Sequence, residues 1–147
     1  MTPYPPLREI LPHGPEMLLL DELREADERG LVCALTLRAS STFVRDGSVP
    51  CLVAIEYMAQ TVAAHFGLRA HRRGHTARSG FLIGVREANF EVDELRVGDA
   101  LEVRAAVVVE DELRGSFACS VVREGVVMAT ATLSVYRGPI EAMERPE

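Results

Sequence analysis

From Val49 to Ala64 the chain runs almost unbroken through apolar residues, and that run holds a single carboxylate, Glu56. A helix that is apolar nearly all round belongs inside a protein, not on its surface. The remaining chain must therefore wrap it. A carboxylate carried inward loses its water, and burying an ion without a partner costs several kcal/mol. Such a group stays protonated or finds a partner, and a protonated carboxyl can serve as a general acid. Two alternatives stand beside that reading: pairing of Glu56 with an Arg, or escape to the helix surface.

The segments around this run indicate how it is covered. A Pro-rich lead, residues 1 to 6, precedes a short amphipathic stretch, Leu7–Leu11, which Pro12 ends. Met17 to Leu23 reads as a strand and Glu25 to Gly30 as a turn. Leu31, Cys33, Leu35 and Leu37 alternate along Leu31 to Ala39, which is strand periodicity. Ser40 to Ser48 is irregular, and the helix is expected over roughly Val49 to Ala70. After a polar basic loop come four strands, about Phe81 to Phe90, Asp99 to Glu110, Arg114 to Arg123 and Val126 to Tyr136. Short turns between the last three predict antiparallel hairpins. A helix of about 20 residues spans about 30 Å, enough to cross a whole sheet. The order two strands, one helix, four strands thus predicts an α+β fold in which one antiparallel sheet wraps one long central helix.

Length and charge narrow the function. The 147 residues fit a single domain, 1–147, with a core over about 7–137 and a fraying acidic tail beyond Gly138-Pro139. A net charge of −6 argues against nucleic-acid binding, which requires a basic excess. Cys33, Cys51 and Cys119 have neither metal-ligand spacing nor the pattern of a disulfide framework, so no metal is expected and a reducing compartment is. No signal-peptide pattern opens the sequence and no run is read as long enough to span a membrane, so the expected location is cytoplasmic, without a membrane partner.

Four motifs now carry a resemblance. Leu11-Pro12-His13 followed by Met17-Leu18-Leu19-Leu20-Asp21 resembles the opening of the 3-hydroxyacyl-acyl-carrier-protein dehydratases of the FabZ type. Pro50 and Leu52, then Glu56-Tyr57-Met58-Ala59-Gln60, are similar to that family's helix motif. Phe81-Leu82-Ile83-Gly84-Val85 with Asn89-Phe90 resembles its third strand, and Val97-Gly98-Asp99-Ala100-Leu101 its Pro-Gly-Asp-x-Leu turn. The order is preserved over about residues 7 to 137. The resemblance implies the hotdog fold, a dimer as the usual unit, and a pocket between subunits. Two positions depart from the family pattern. Counting fourteen residues back from Glu56, where the family carries the His of His-Phe-Pro-Gly, gives Thr42 followed by Phe43, and the family Gly after Pro50 is Cys51. The subgroup resembled most is the ApeP-like dehydratases associated with aryl polyene synthesis.

The resemblance implies dehydration of a 3-hydroxyacyl thioester held on the phosphopantetheine of an acyl carrier protein, with no further cofactor. Glu56 would assist the departing hydroxyl. Thr42 cannot supply the base, although Thr42 and Phe43 keep their place as substrate-binding positions. His13, which lies outside the helix and the loop after it, is the candidate base, because imidazole titrates near neutrality; a turn-capping role is the alternative. Cys51 is expected to offer its backbone N–H to the thioester oxygen from the start of the helix, its thiol being either a small buried group or one activated by the helix terminus. Gln60, one turn after Glu56, either orients the carboxyl or satisfies strand backbone. His65 falls on the opposite helix face, and His71 and His75 are read as solvated. Tyr57 and Met58 are read as core. Arg69, Arg72, Arg73 and Arg78 form either a solvated loop or a basic rim that steers an acidic carrier. A thioesterase, or a catalytically degenerate subunit bound to an active dehydratase or ketosynthase, are the competing functions; a homodimer is the default assembly.

Overall fold

A computed structural model describes residues 3–75 and 80–137. The elements in chain order are α1 (Leu7–Ile10), β1 (Glu22–Asp27), β2 (Gly30–Thr36), β3 (Ser48–Pro50), a 3-10 turn (Cys51–Val53), α2 (Ala54–Arg72), β4 (Phe81–Phe90), β5 (Glu94–Arg96), β6 (Ala100–Glu110), β7 (Arg114–Arg123) and β8 (Val126–Tyr136). Six strands form one sheet in the order β1-β2-β6-β7-β8-β4, antiparallel throughout, while β3 and β5 pair separately.

Strand side chains alternate between two faces, and one face of the large sheet meets α2. Leu101, Val103 and Ala105 on β6, Phe117, Cys119 and Val121 on β7, and Ala129, Ala131 and Leu133 on β8 all lie inward, none more than 4% exposed. They close over Ala54, Tyr57, Met58, Val62 and Ala64 of α2. Burying a large apolar side chain contributes about 1.5–3 kcal/mol, so this seam accounts for the apolar character of the helix without a membrane. By length and composition Cys51–Arg72 would pass as a membrane span, contrary to the sequence reading, but 67% of the apolar window is buried within the fold. The β7–β8 hairpin turns on Glu124 (φ 49°) and Gly125 (φ 78°), the two left-handed positions that a tight hairpin of this hand requires.

The N-terminal segment is seated on α2. Leu7, Ile10 and Leu11 are buried, and the Ile10 carbonyl comes so close to Gly67 that a Cβ at that position would lie 1.9 Å from its oxygen. Only glycine permits this approach. Leu11-Pro12-His13 thereby runs over the helix that carries Glu56.

Three expectations change. The first strand begins at Glu22, not Met17, and continues through Asp27 where a turn was expected. Its charged residues lie along a sheet edge, where charge discourages further pairing, and Asp27 Oδ1 accepts from the N–H groups of Arg29 and Gly30 to form the turn one step later. Met17 and Leu19 are withheld from the ladder because their backbone groups bind Gln60 instead. The helix proper starts at Ala54, with Ser48–Pro50 forming β3 against β5. The acidic tail and Arg78 lie outside the described residues.

Candidate active site

A cavity of about 340 Å³ opens beside α2, bounded by Pro12, His13, Glu56, Ala59, Ala63, Phe66, Phe81, Leu82 and Arg137, among others. Its volume falls at the small end of the range usual for ligand pockets, as does its pattern of mostly apolar walls with few convergent polar groups. Helical spacing explains one wall: Glu56, Ala59, Ala63 and Phe66 follow the i, i+3, i+4 rule along one stripe. The small side chains of Ala59 and Ala63 leave the space, and β4 supplies the facing wall through Phe81 and Leu82. Nothing in the sequence marked Phe81, Leu82 or Arg137 as cavity residues, since they arrive by tertiary packing from strand ends.

Glu56 is half-buried, less enclosed in the single chain than its apolar neighbours in sequence suggested. Among the described residues its carboxyl enters no ion pair. It is held instead by Gln60, whose Nε2 donates to Glu56 Oε2 at 2.9 Å. Gln60 is fully buried and also donates to the Met17 carbonyl at 2.6 Å while its Oε1 accepts from Leu19 N–H at 2.9 Å. Both roles open to this residue in the sequence therefore coexist: it orients the carboxyl and it satisfies backbone.

His13 and Glu56 line the same cavity within one chain. His13 Nδ1 is buried and has no hydrogen-bond partner among the described residues, so the turn-capping alternative does not describe that nitrogen. Buried polar atoms without partners are uncommon and call for an explanation.

Three expected binding positions lie elsewhere. The Cys51 N–H donates to Asp93 O at 2.8 Å, because the β3–β5 pairing extends one residue into the helix start, so it is not free to hold a thioester oxygen. The Cys51 thiol is buried; burial pushes it up from its ordinary range, with the backbone at Val92 opposing and the Asp93 carboxylate adding to the effect. A protonated, enclosed thiol is a packing group. Thr42 Oγ1 donates to Glu16 O at 2.6 Å and lines a different hollow, with Leu18, Leu37 and Tyr57. Phe43 is 47% exposed and adopts a left-handed φ of 77°. Neither borders the Glu56 cavity in this chain.

His65 is buried on the far face of α2, as its spacing indicated. Its Nε2 lies 3.0 Å from Arg69 Nη2 and 3.6 Å from Glu110 Oε2, and burial, followed by the Arg69 charge, lowers its affinity for a proton. Arg69 is committed to Glu110 at 2.8 Å, which removes it from the expected basic rim. Arg72, Arg73, His71 and His75 are exposed. Among the described residues no three His, Cys, Asp or Glu side chains gather as a metal site.

The family model described as ApeP dehydratase matches residues 5–145. Among solved structures, the dehydratase heterocomplex ApeI:P from Xenorhabdus doucetiae is 27% identical over 97% of this chain and 99% of that one, with a TM-score of 0.90. A hypothetical thioesterase from Streptococcus pneumoniae TIGR4, solved with coenzyme A, is 11% identical over 80% of this chain and 84% of that one, TM-score 0.62. Zebra fish thioesterase superfamily member 2 is 12% identical over 86% and 88%, TM-score 0.64. These last two share the fold alone. No curated protein matches the chain. The architecture of an antiparallel sheet around a central helix is the hotdog fold.

Proposed function

The chain belongs to the ApeP-like dehydratase family, and on that premise we propose that it dehydrates a carrier-bound 3-hydroxyacyl thioester to the trans-2-enoyl thioester, with Glu56 protonating the departing hydroxyl. The observation that carries this reading is the cavity itself: a carboxyl and an imidazole share one pocket with otherwise mostly apolar walls. A base removes a proton from C2, the released electron pair forms the C2=C3 bond, and the C3–O bond breaks as Glu56 delivers a proton to the oxygen. The products are the enoyl thioester and one water. His13, with Nδ1 buried and unpartnered beside the pocket, is the proposed base and ends the step protonated, returning its proton to Glu56 through solvent. Such proton transfers contribute about 10²–10⁴-fold each.

The proposed assembly is a heteromer with a second dehydratase subunit, as in the ApeI:P heterocomplex that this chain resembles. The edge strand β4 supports it, since among the described residues β4 pairs only with β8 and exposes Leu82, Ile83, Val85 and Phe90. An uncovered apolar strand edge is a template for another strand. A homodimer through the same edge, or association with a ketosynthase, is a different outcome of the same measurement. The substrate arm is proposed to be phosphopantetheine on an acidic carrier protein, drawn by Arg72 and Arg73 at the end of α2, in the cytoplasm; an aryl polyene precursor is the proposed acyl class. Thioester hydrolysis is the competing reaction. Incubating the co-expressed complex with a 3-hydroxyacyl carrier thioester and following both enoyl product and free thiol separates them. Enoyl product without thiol release is expected, and thiol release without dehydration overturns the proposal. If His13→Gln leaves turnover in the complex unchanged, the base comes from the partner chain.

A further inference from the structure

Phe43 holds a backbone conformation that aromatic residues rarely adopt. Its φ is 77°, in the left-handed region that favours glycine, where a Cβ crowds the following carbonyl oxygen. The strain is imposed from both sides. Thr42 Oγ1 donates to Glu16 O at 2.6 Å, and Val44 packs against the core. The turn before them is fixed by Ser41 N–H donating to Arg38 O at 2.9 Å, Arg38 N–H to Ser41 Oγ at 3.1 Å and Val44 N–H to Ser41 O at 3.2 Å. With both neighbours drawn inward, the residue between them is turned outward, and its ring is 47% exposed. Glycine would take this backbone without strain and leave no ring in water. A lone exposed apolar side chain calls for no explanation. One presented on a strained backbone does, because such strain persists only where the surroundings enforce it and gathers at functional positions.

Next to this ring, at Thr42, begins a hollow of about 260 Å³ walled by Leu18, Leu37, Ser40, Ser41, Thr42 and Tyr57, among others. It is smaller than the about 300–1,000 Å³ usual for a small-molecule site and is of a size to take a side chain. Tyr57 is 1% exposed, and its hydroxyl has no hydrogen-bond partner among the described residues. A buried phenol ordinarily finds one. The hollow thus offers a hydrogen to an acceptor brought in from outside. Glu16 and Asp21 already place two carboxylates on its walls, so a neutral amide oxygen fits there better than a third carboxylate. We propose that the Phe43 ring and the adjoining Tyr57 hollow form an interlocking surface for the second dehydratase subunit: the ring enters an apolar pocket of that subunit, and an amide side chain of that subunit fills the hollow. A ring already fixed in place loses little freedom on binding, which suits an anchor. The proposal rests on the heteromeric assembly proposed above and extends it from the β4 edge to a second patch.

The test co-expresses the full chain with the dehydratase subunit of the same organism that carries the His-Phe-Pro-Gly motif. The purified complex is diluted stepwise and its dissociation read by mass photometry, with thermal melting of the full chain alone run alongside. Phe43→Gly is expected to weaken association about 30-fold or more, as loss of an aromatic anchor does, while the melting midpoint of the chain alone does not fall, because the backbone strain is released. Tyr57→Phe keeps the ring and its packing and removes only the hydroxyl, so it is expected to weaken association about 3- to 10-fold at an unchanged melting midpoint. Wild-type dissociation of either variant overturns the proposal, as does a weakening accompanied by a lower melting midpoint of the chain alone. If the wild-type chain forms no complex with that subunit, the heteromeric reading fails and this surface with it. If the wild-type complex forms and Phe43→Gly matches it, only this surface is refuted.

Discussion

Replacing Gly67 by alanine separates the seating of the N-terminal segment from ordinary helix stability. The new Cβ would lie 1.9 Å from the Ile10 carbonyl oxygen, 2.9 Å from its carbon and 3.3 Å from the Ile10 Cβ. Ordinary non-bonded carbon contacts lie at about 3.5–4.0 Å, so the α1 backbone must retreat by more than about 1 Å. The obstacle is main chain, not a flexible tip, and cannot rotate aside. Overpacking of this kind costs about 1–3 kcal/mol, while alanine in a helix interior gains about 1 kcal/mol over glycine. The net loss is thus at most about 2 kcal/mol, a few degrees in Tm for a domain of this size. Pro12 and His13 follow α1 after the single residue Leu11, and a displacement of that size at a reacting group costs about 10²-fold. Gly67→Ala should accordingly remain folded but turn over far more slowly than its modest melting shift implies. Thermal melting and turnover per folded molecule read the two effects separately. Wild-type turnover in a destabilised Gly67→Ala would refute the claim that this glycine holds the His13 segment in place.

Other outcomes follow from the same geometry. In the native protein all three cysteines should resist alkylation at neutral pH, because burial pushes Cys33 and Cys119 up to about 12 and raises Cys51; labelling with mass detection in buffer and in urea reads this, and rapid native labelling would contradict it. Stability should fall as pH is lowered, first below about 6.5 and again below about 4.5. His65 is held neutral in the fold, chiefly by burial, so the unfolded chain takes up its proton first. For Glu110 burial pushes the carboxyl up, but its bond to Arg69, the Arg69 charge and the contact with His65 outweigh that and hold it low; in both cases the unfolded state binds more protons and stability rises with pH. Urea midpoints across this range should flatten in His65→Gln below 6.5, and an unchanged slope would refute the assignment. On β4, Ile83→Asp should abolish association with the partner subunit, as a charge on an edge strand opposes pairing; co-elution with the partner at wild-type yield would show that another surface is used.

The hairpins β6–β7–β8 and the central helix were legible in sequence because their alternation and apolar content run for ten residues or more. Strands β3 and β5 were not, since three residues are too few to display a period. Met17–Asp21 looked like a strand by composition, yet the backbone of Met17 and Leu19 is diverted to a glutamine 43 and 41 residues away, a pairing no local pattern records. At the site, the placing of Gln60 one turn after Glu56 could be read from helical spacing, whereas the space left by Ala59 and Ala63 became visible only with the cavity. That Cys51 N–H answers Asp93 and that Thr42 answers Glu16 could not, because each depends on which loop the fold brings alongside. His13 was reached by elimination, and its place in the Glu56 cavity follows from Gly67, a residue whose role appears only when α1 is laid against α2.

Conversion of a carrier-bound 3-hydroxyacyl thioester by the assembled enzyme, followed by mass spectrometry of the carrier, bears most directly on the role of Glu56. Wild type should yield the carrier species lighter by one water, and Glu56→Gln should reduce that conversion by about 10²–10⁴-fold with carrier binding intact. Conversion by Glu56→Gln at the wild-type rate would contradict the account.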